Sequence, residues 1–115
     1  MLTQKMKQPF KTAQPVLFPP LADRAKWESL PGAARWTAAG QAALADARTA
    51  PELPLSLWLQ FTRSGDRAKW EHAYFARRRT LCALAMAEAV TNRGTYLPAL
   101  ADLAWRICEG SAWQL

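Results

Sequence analysis

Apolar residues recur at helical spacing through the longest uninterrupted stretch of the chain. Neither Pro nor Gly occurs between Gly65 and Gly94, and the stretch is rich in strong helix formers such as Ala, Arg, Leu, Met and Glu. We predict one helix of ~40 Å at a rise of 1.5 Å per residue. Gly65 is typical of the end of a preceding helix, and Asp66 is typical of the N-cap of this one. The face predicted to be buried comprises Trp70, Tyr74, Leu81, Leu84 and Ala85.

The rest of the pattern predicts four shorter helices and no strand. Residues 1–20 contain four prolines and no periodicity, which predicts an extended or flexible arm, with Val16, Leu17 and Phe18 as candidates to dock on the body. Residues 21–115 form the predicted helical domain. Short connections favour antiparallel neighbours. The predicted helices span residues 21–29, 31–49, 55–64 and 96–109.

Three of these helices have informative faces. The second carries mostly small residues, so that a neighbour can approach closely: Trp36, Gly40, Ala43, Leu44 and Ala47. The last is predicted to be capped by Thr95, to pair Asp102 with Arg106, and to bury Leu97, Leu100, Ala101, Ala104, Ile107 and Cys108. The third is apolar on nearly every side, with Leu55, Leu57, Trp58, Leu59 and Phe61. We predict that it is buried all round, partly by cover from outside this chain.

Three consecutive arginines, Arg77 to Arg79, span about 200° of the long helix. At least one must therefore lie near the apolar face, stacked on Tyr74 or Phe75 or bound to a carboxylate. Glu71 is spaced to pair with Arg67 or with Arg78.

Composition and charge fit an all-α fold and leave the partner open. The 115 residues suffice for one domain and include 23 Ala but only 5 Gly. The net charge of +6 suits an anionic partner, although six of the 15 basic residues lie within residues 63–79, where a solvated helix face is the commoner explanation.

The chain shows no catalytic or metal-binding pattern, and we predict no cofactor. Cys82 and Cys108 are predicted to be core residues rather than a disulfide framework. His72 lacks further ligands at metal-site spacing. The sequence contains neither an apolar run of membrane-spanning length nor a signal-peptide pattern.

Tryptophan is dense in this sequence. Four are predicted to be core: Trp36, Trp58, Trp70 and Trp105. Trp113 follows Gly110, a predicted helix stop, and lies near Glu109. These two residues are candidates for a sugar-stacking pair, and a core plug is an equally weighted alternative for Trp113.

Residues 57–115 carry motif blocks that resemble the N-terminal helical part of heparinase II/III-like proteins. The blocks are Phe-x-Arg-x-Gly-Asp-Arg from Phe61, Glu-x-x-Tyr-Phe-x-Arg-Arg from Glu71, and Trp-Arg-Ile-Cys-Glu-Gly-Ser-Ala-Trp from Trp105. About the first thirty residues carry no such resemblance.

The resemblance implies the start of an incomplete α/α toroid, followed in relatives by an antiparallel β-sandwich. Characterised relatives are polysaccharide lyases that cleave uronic-acid polymers by β-elimination, and they are often periplasmic or secreted. Their catalytic residues lie beyond the segment matched here, so this chain is expected to be truncated, to carry none of them and to be inactive alone. Relatives often have a polar residue where this chain has Gly110. The implied framework residues are Arg63, Gly65, Asp66, Arg67, Glu71, Tyr74, Arg77 and Arg78, and Glu109 and Trp113 lead toward the substrate groove.

The expected partners are an acidic polysaccharide, the rest of the toroid with its β-sandwich, and further copies of the chain itself. No membrane partner is predicted. Two alternatives stay open. One is a basic helical domain that binds nucleic acid through Arg63 to Arg79. We rank nucleic acid below a polysaccharide as the partner. The other is a protein-interaction module built on Leu55 to Phe61.

Overall fold

The computed structural model describes residues 18–110 and is all-α over that range, as predicted. Helix starts differ slightly from prediction: residues 21–23 form a turn before the first helix, and Gly32 takes a left-handed conformation just before the second. Within residues 18–110, no helix is long and apolar enough to cross a membrane. The helices are α1 (Arg24–Glu28), α2 (Ala33–Arg48), α3 (Leu55–Ser64), α4 (Ala68–Thr91) and α5 (Leu97–Cys108).

The most extensive packing joins α2 to α4, with α5 against both. Gly40 on α2 is buried at this contact. A Cβ at Gly40 would meet the Cβ of Ala87 and lie 3.1 Å from Cε1 of Tyr96. The predicted close approach along the small-residue face of α2 is therefore confirmed. The buried core consists of Ala43, Ala47, Ala50, Leu84, Ala87, Tyr96, Leu103 and Ile107.

The predicted buried face of α5 is partly wrong. The buried positions start at Tyr96 and continue through Leu103 and Ile107, at i, i+7 and i+11. This register turns several predicted core residues toward solvent: Leu97, Ala101 and Cys108. On α4, Ala85 and Cys82 are exposed as well, so both thiols are accessible rather than buried.

A buried carboxylate organises the turn between α4 and α5. Asn92 and Gly94 both have positive φ, as a tight helix stop requires. The N–H groups of Gly94 and Tyr96 donate to the Glu88 carboxylate, with N···O distances of 2.6 and 2.9 Å. The predicted cap by Thr95 is wrong, because Glu88 supplies the acceptors and Tyr96 occupies the N-cap position.

Arg106 ties α5 to the segment after α2. Its Nη2 donates to Oε1 of Glu52 at 2.6 Å and to the Ala50 carbonyl at 3.0 Å. The Ala47 carbonyl accepts from Nη1 at 3.5 Å. The predicted pair with Asp102 is replaced by these contacts, because the carbonyls at the end of α2 offer a planar guanidinium several acceptors at once.

The short helix α1 and the residues just before it pack against the end of α4. Arg24 donates to the carbonyls of Ala89 and Val90 at 2.9 and 2.6 Å. The buried Trp27 donates from Nε1 to the Pro20 carbonyl at 3.1 Å, and Phe18 stacks on its ring with centroids 5.9 Å apart. Phe18 therefore docks as predicted, whereas Val16 and Leu17 lie outside the described residues.

Within the described residues α3 is not buried, so its predicted all-round burial depends on cover from outside this chain and stays a prediction. No α3 residue is buried, and Leu55 and Phe61 are 69% and 57% exposed. Within residues 18–110, α3 packs mainly on α4, where Trp58 meets Trp70 edge-on with centroids 4.9 Å apart. A helix that packs on one neighbour covers one side only. Apolar side chains remain partly uncovered on both flanks of Trp58. We call them together the α3 surface, formed by the exposed Leu55 and Phe61 and the half-buried Leu57 and Leu59.

Candidate functional site

The turn between α3 and α4 forms as predicted at Gly65, whereas Arg67 and not the predicted Asp66 occupies the N-cap position of α4. Gly65 ends α3 with φ at 74°, and its N–H donates to the Phe61 carbonyl at 2.8 Å. Oδ1 of Asp66 accepts from the Ala68 N–H at 3.0 Å, which satisfies one free amide of α4. Arg63, the first of the framework residues, is exposed. Gly65 and Asp66 thus set the entry of α4.

The first turns of α4 hold two predicted contacts. Arg67 Nε lies 2.8 Å from Oε1 of Glu71, in a pair exposed enough that its contribution to stability is small. The Arg78 guanidinium lies 3.4 Å from the ring centroid of Tyr74. One of the three consecutive arginines therefore stacks on Tyr74, as the helical spacing requires.

Arg77 is buried in a way that sequence spacing did not specify. The residue is 5% exposed, and within residues 18–110 its Nε has no hydrogen-bond partner. Burial lowers the pKa of Arg77 from its ordinary value, and repulsion from Arg106 and Arg78 lowers it further, while Glu52 acts in the opposite direction. A buried cation with an unsatisfied donor opposes folding.

Replacing Arg77 by methionine is expected to raise the free energy of unfolding by about 1 kcal/mol, because an apolar side chain of similar length keeps the packing and removes the buried charge. Urea denaturation followed by circular dichroism measures the change. Arg79→Met, at an exposed position on the same helix, is the matched control and is expected to change stability little. A loss of stability in Arg77→Met would contradict this interpretation and assign Arg77 a favourable contact.

Two further buried polar atoms lie on α3 and α4. Oε1 of Gln60 and Nε1 of Trp70 lack hydrogen-bond partners within residues 18–110, as does Nε of Arg77. Buried polar atoms are normally paired, by protein or by ordered water. Of these atoms, only Oε1 of Gln60 belongs to the helix that also carries the open α3 surface.

The structure does not bring the basic residues together in one row. Arg63, Arg67 and Arg79 are exposed, but Arg77 is buried and Arg78 covers Tyr74. His72 is exposed, and no group of three or more His, Cys, Asp or Glu residues that could hold a metal lies within the described range.

The sugar-stacking pair of Glu109 and Trp113 stays a prediction. Glu109 is exposed at the end of α5, and Trp113 lies outside the described residues. The prediction that Trp105 is a core residue is wrong: it is 69% exposed and lines an open cavity of about 740 Å³ between α2 and α5. Trp105 lies three residues after Asp102 and one before Arg106, on the polar side of α5. This position is the sequence signal for its exposure.

Comparison with known proteins yields no family model, no curated protein and no solved structure that matches this chain significantly.

Proposed function

We propose that this chain is the N-terminal helical module of a heparinase II/III-like polysaccharide lyase. In this proposal its helices open an incomplete α/α toroid, shape one wall of the groove that holds a uronic-acid polymer, and are inactive alone. The proposal starts from the motif blocks between Phe61 and Trp113.

The observation that carries the proposal is the open α3 surface. Exposing a large apolar side chain forgoes roughly 25 cal/mol for each Å² that could be buried, and contiguous exposed apolar area in natural proteins usually marks an interface. Leu55 and Phe61 are both more than half exposed. In a toroid each helix packs against neighbours on both sides, so further helices would cover this surface.

The contacts of the framework residues support a structural rather than a chemical role for them. Gly65 and Asp66 form the turn that aims α4, Glu71 pairs with Arg67, and Arg78 stacks on Tyr74. Gly65 and Asp66 fix how α3 and α4 leave their shared turn, which is what a groove wall requires. The other two contacts lie within α4 and its N-cap and stabilise that helix locally.

The proposal assigns no catalytic residue to the described range. A proton-transferring phenol must reach substrate within hydrogen-bond distance. The ring of Tyr74 is buried beneath Arg78, and Tyr96 packs in the core against Gly40. The acid and base would therefore come from other parts of the polypeptide, as the resemblance implies.

The proposed activity is tested by incubating the full-length gene product with heparan, hyaluronan and alginate. We expect ultraviolet absorbance from the unsaturated uronate that β-elimination produces, with at least one polymer. The 115-residue chain alone is the matched control and is expected to give no signal. Silence of the full-length protein across a broad panel of acidic polysaccharides would contradict the proposed function.

A protein-interaction module is the second candidate, and the exposure of Leu55 and Phe61 favours it directly. It differs from the first candidate in requiring no polysaccharide chemistry. Nucleic-acid binding draws less support, because the burial of Arg77 and the stacking of Arg78 divide the basic stretch. Binding to DNA or RNA that weakens steeply with salt would support the nucleic-acid-binding alternative.

A further inference from the structure

The cavity between α2 and α5 is an open cleft with room for a small ligand. Its volume of about 740 Å³ falls within the range typical of small-molecule sites, roughly 300–1,000 Å³. Leu44 and Arg48 line it from α2, and Pro98, Asp102 and Trp105 line it from α5. The lining thus combines apolar area with a carboxylate and a guanidinium.

Trp105 gives this cavity a flat aromatic surface. A tryptophan that is 69% exposed leaves most of its large apolar area in water, although the neighbouring core positions Leu103 and Ile107 are buried. The side chain therefore adds little to packing within residues 18–110, and its indole face is free to receive a ligand.

The charged groups beside Trp105 are available to a ligand. Within the described range, Asp102 and Arg48 make no ion pair or side-chain hydrogen bond, and both are exposed. Arg106, by contrast, is held by Glu52 and the end of α2. The cavity therefore offers one free acceptor group and one free cationic donor around an indole.

We propose that this cavity is a binding subsite for an acidic sugar. The apolar C–H face of a pyranose ring stacks on Trp105, a ring hydroxyl donates to Asp102, and Arg48 binds the carboxylate of the same or the adjoining residue. An apolar helix fits less well, because it would desolvate Asp102 and Arg48 without pairing them. The inference rests on the proposed function for the choice of an acidic rather than a neutral polymer.

The subsite is tested on the 115-residue chain with two probes, a mannuronate tetrasaccharide and the neutral cellotetraose. Calorimetry gives the affinities, and NMR follows the tryptophan indole N–H resonances. We expect the uronate probe to bind more tightly and to shift the Trp105 resonance. Trp105→Ala is expected to weaken binding at least tenfold, and Asp102→Asn and Arg48→Gln severalfold each.

Phe75→Ala is the matched control, since it removes a partly exposed aromatic ring that does not line the cavity and is expected to leave binding unchanged. Unchanged helicity by circular dichroism shows that each variant is folded. Absent binding, binding that survives Trp105→Ala, or equal affinity for the neutral probe would overturn the inference. These results are distinct from failure of the proposed function, which the cleavage assay on the full-length protein reports independently.

Discussion

Gly40→Ala is expected to lower the free energy of unfolding by about 3 kcal/mol, at the upper end of the usual cost of overpacking a core. The new Cβ would collide with the Cβ of Ala87 on the facing helix and crowd the buried ring of Tyr96. Neither neighbour can rotate away, because Ala87 has no rotatable side chain and Tyr96 is enclosed in the core. Urea denaturation monitored by circular dichroism measures the loss.

Two further variants make this prediction specific to the contact. Gln41→Ala, an exposed neighbour on α2, is expected to change stability by less than about 0.5 kcal/mol. Ala87→Gly introduced together with Gly40→Ala removes one of the two clashing carbons and is expected to recover part of the loss. Full stability in Gly40→Ala alone would mean that α2 and α4 do not approach as closely as described.

Glu88→Ala is expected to lower the free energy of unfolding by about 3 kcal/mol, because hydrogen bonds to a charged acceptor contribute roughly 1.5–3 kcal/mol each. The substitution leaves the N–H groups of Gly94 and Tyr96 without their acceptor at the start of α5. Thermal and urea denaturation would both report the loss.

Glu88→Gln keeps the shape of the side chain and removes its charge. Its single carbonyl oxygen can serve one of the two amides, so we expect a smaller loss than for Glu88→Ala. Glu109→Ala, at an exposed carboxylate, is the control and is expected to be nearly neutral. If Glu88→Ala were equally neutral, the turn between α4 and α5 would not depend on this carboxylate.

Local signals predicted the fold well. Gly65, Asp66 and the uninterrupted stretch up to Asn92 defined α4 and its entry, because capping and propensity depend on near neighbours in sequence. The arginine spacing likewise required one guanidinium near the apolar face, and Arg78 on Tyr74 meets that requirement.

Contacts between residues distant in sequence were not predictable in the same way. Glu88 resembles an ordinary surface residue of a helix, and only the folded turn reveals the amides it binds. Arg106 had a suitable partner one turn away in Asp102, yet it binds Glu52 and carbonyls more than fifty residues earlier. Tyr96 entering the core set the rotation of α5 and thereby exposed Trp105.

The candidate functional residues show the same difference between local and long-range signals. The sequence pointed to Glu109 and Trp113 as a sugar-stacking pair, whereas the described range presents Trp105 with Asp102 and Arg48 around a cavity. Both predictions use the same chemistry, an indole beside a charged group. They differ because exposure depends on helix rotation, which a single sequence leaves undetermined when a helix carries apolar residues on several sides.

Sedimentation equilibrium of the 115-residue chain tests most directly whether the α3 surface is an interface. We expect association that increases with concentration, and we expect Leu55→Ser combined with Phe61→Ser to abolish it without loss of helicity, since both side chains are largely exposed. A wild-type chain that stays monomeric up to its solubility limit would contradict the proposed interface.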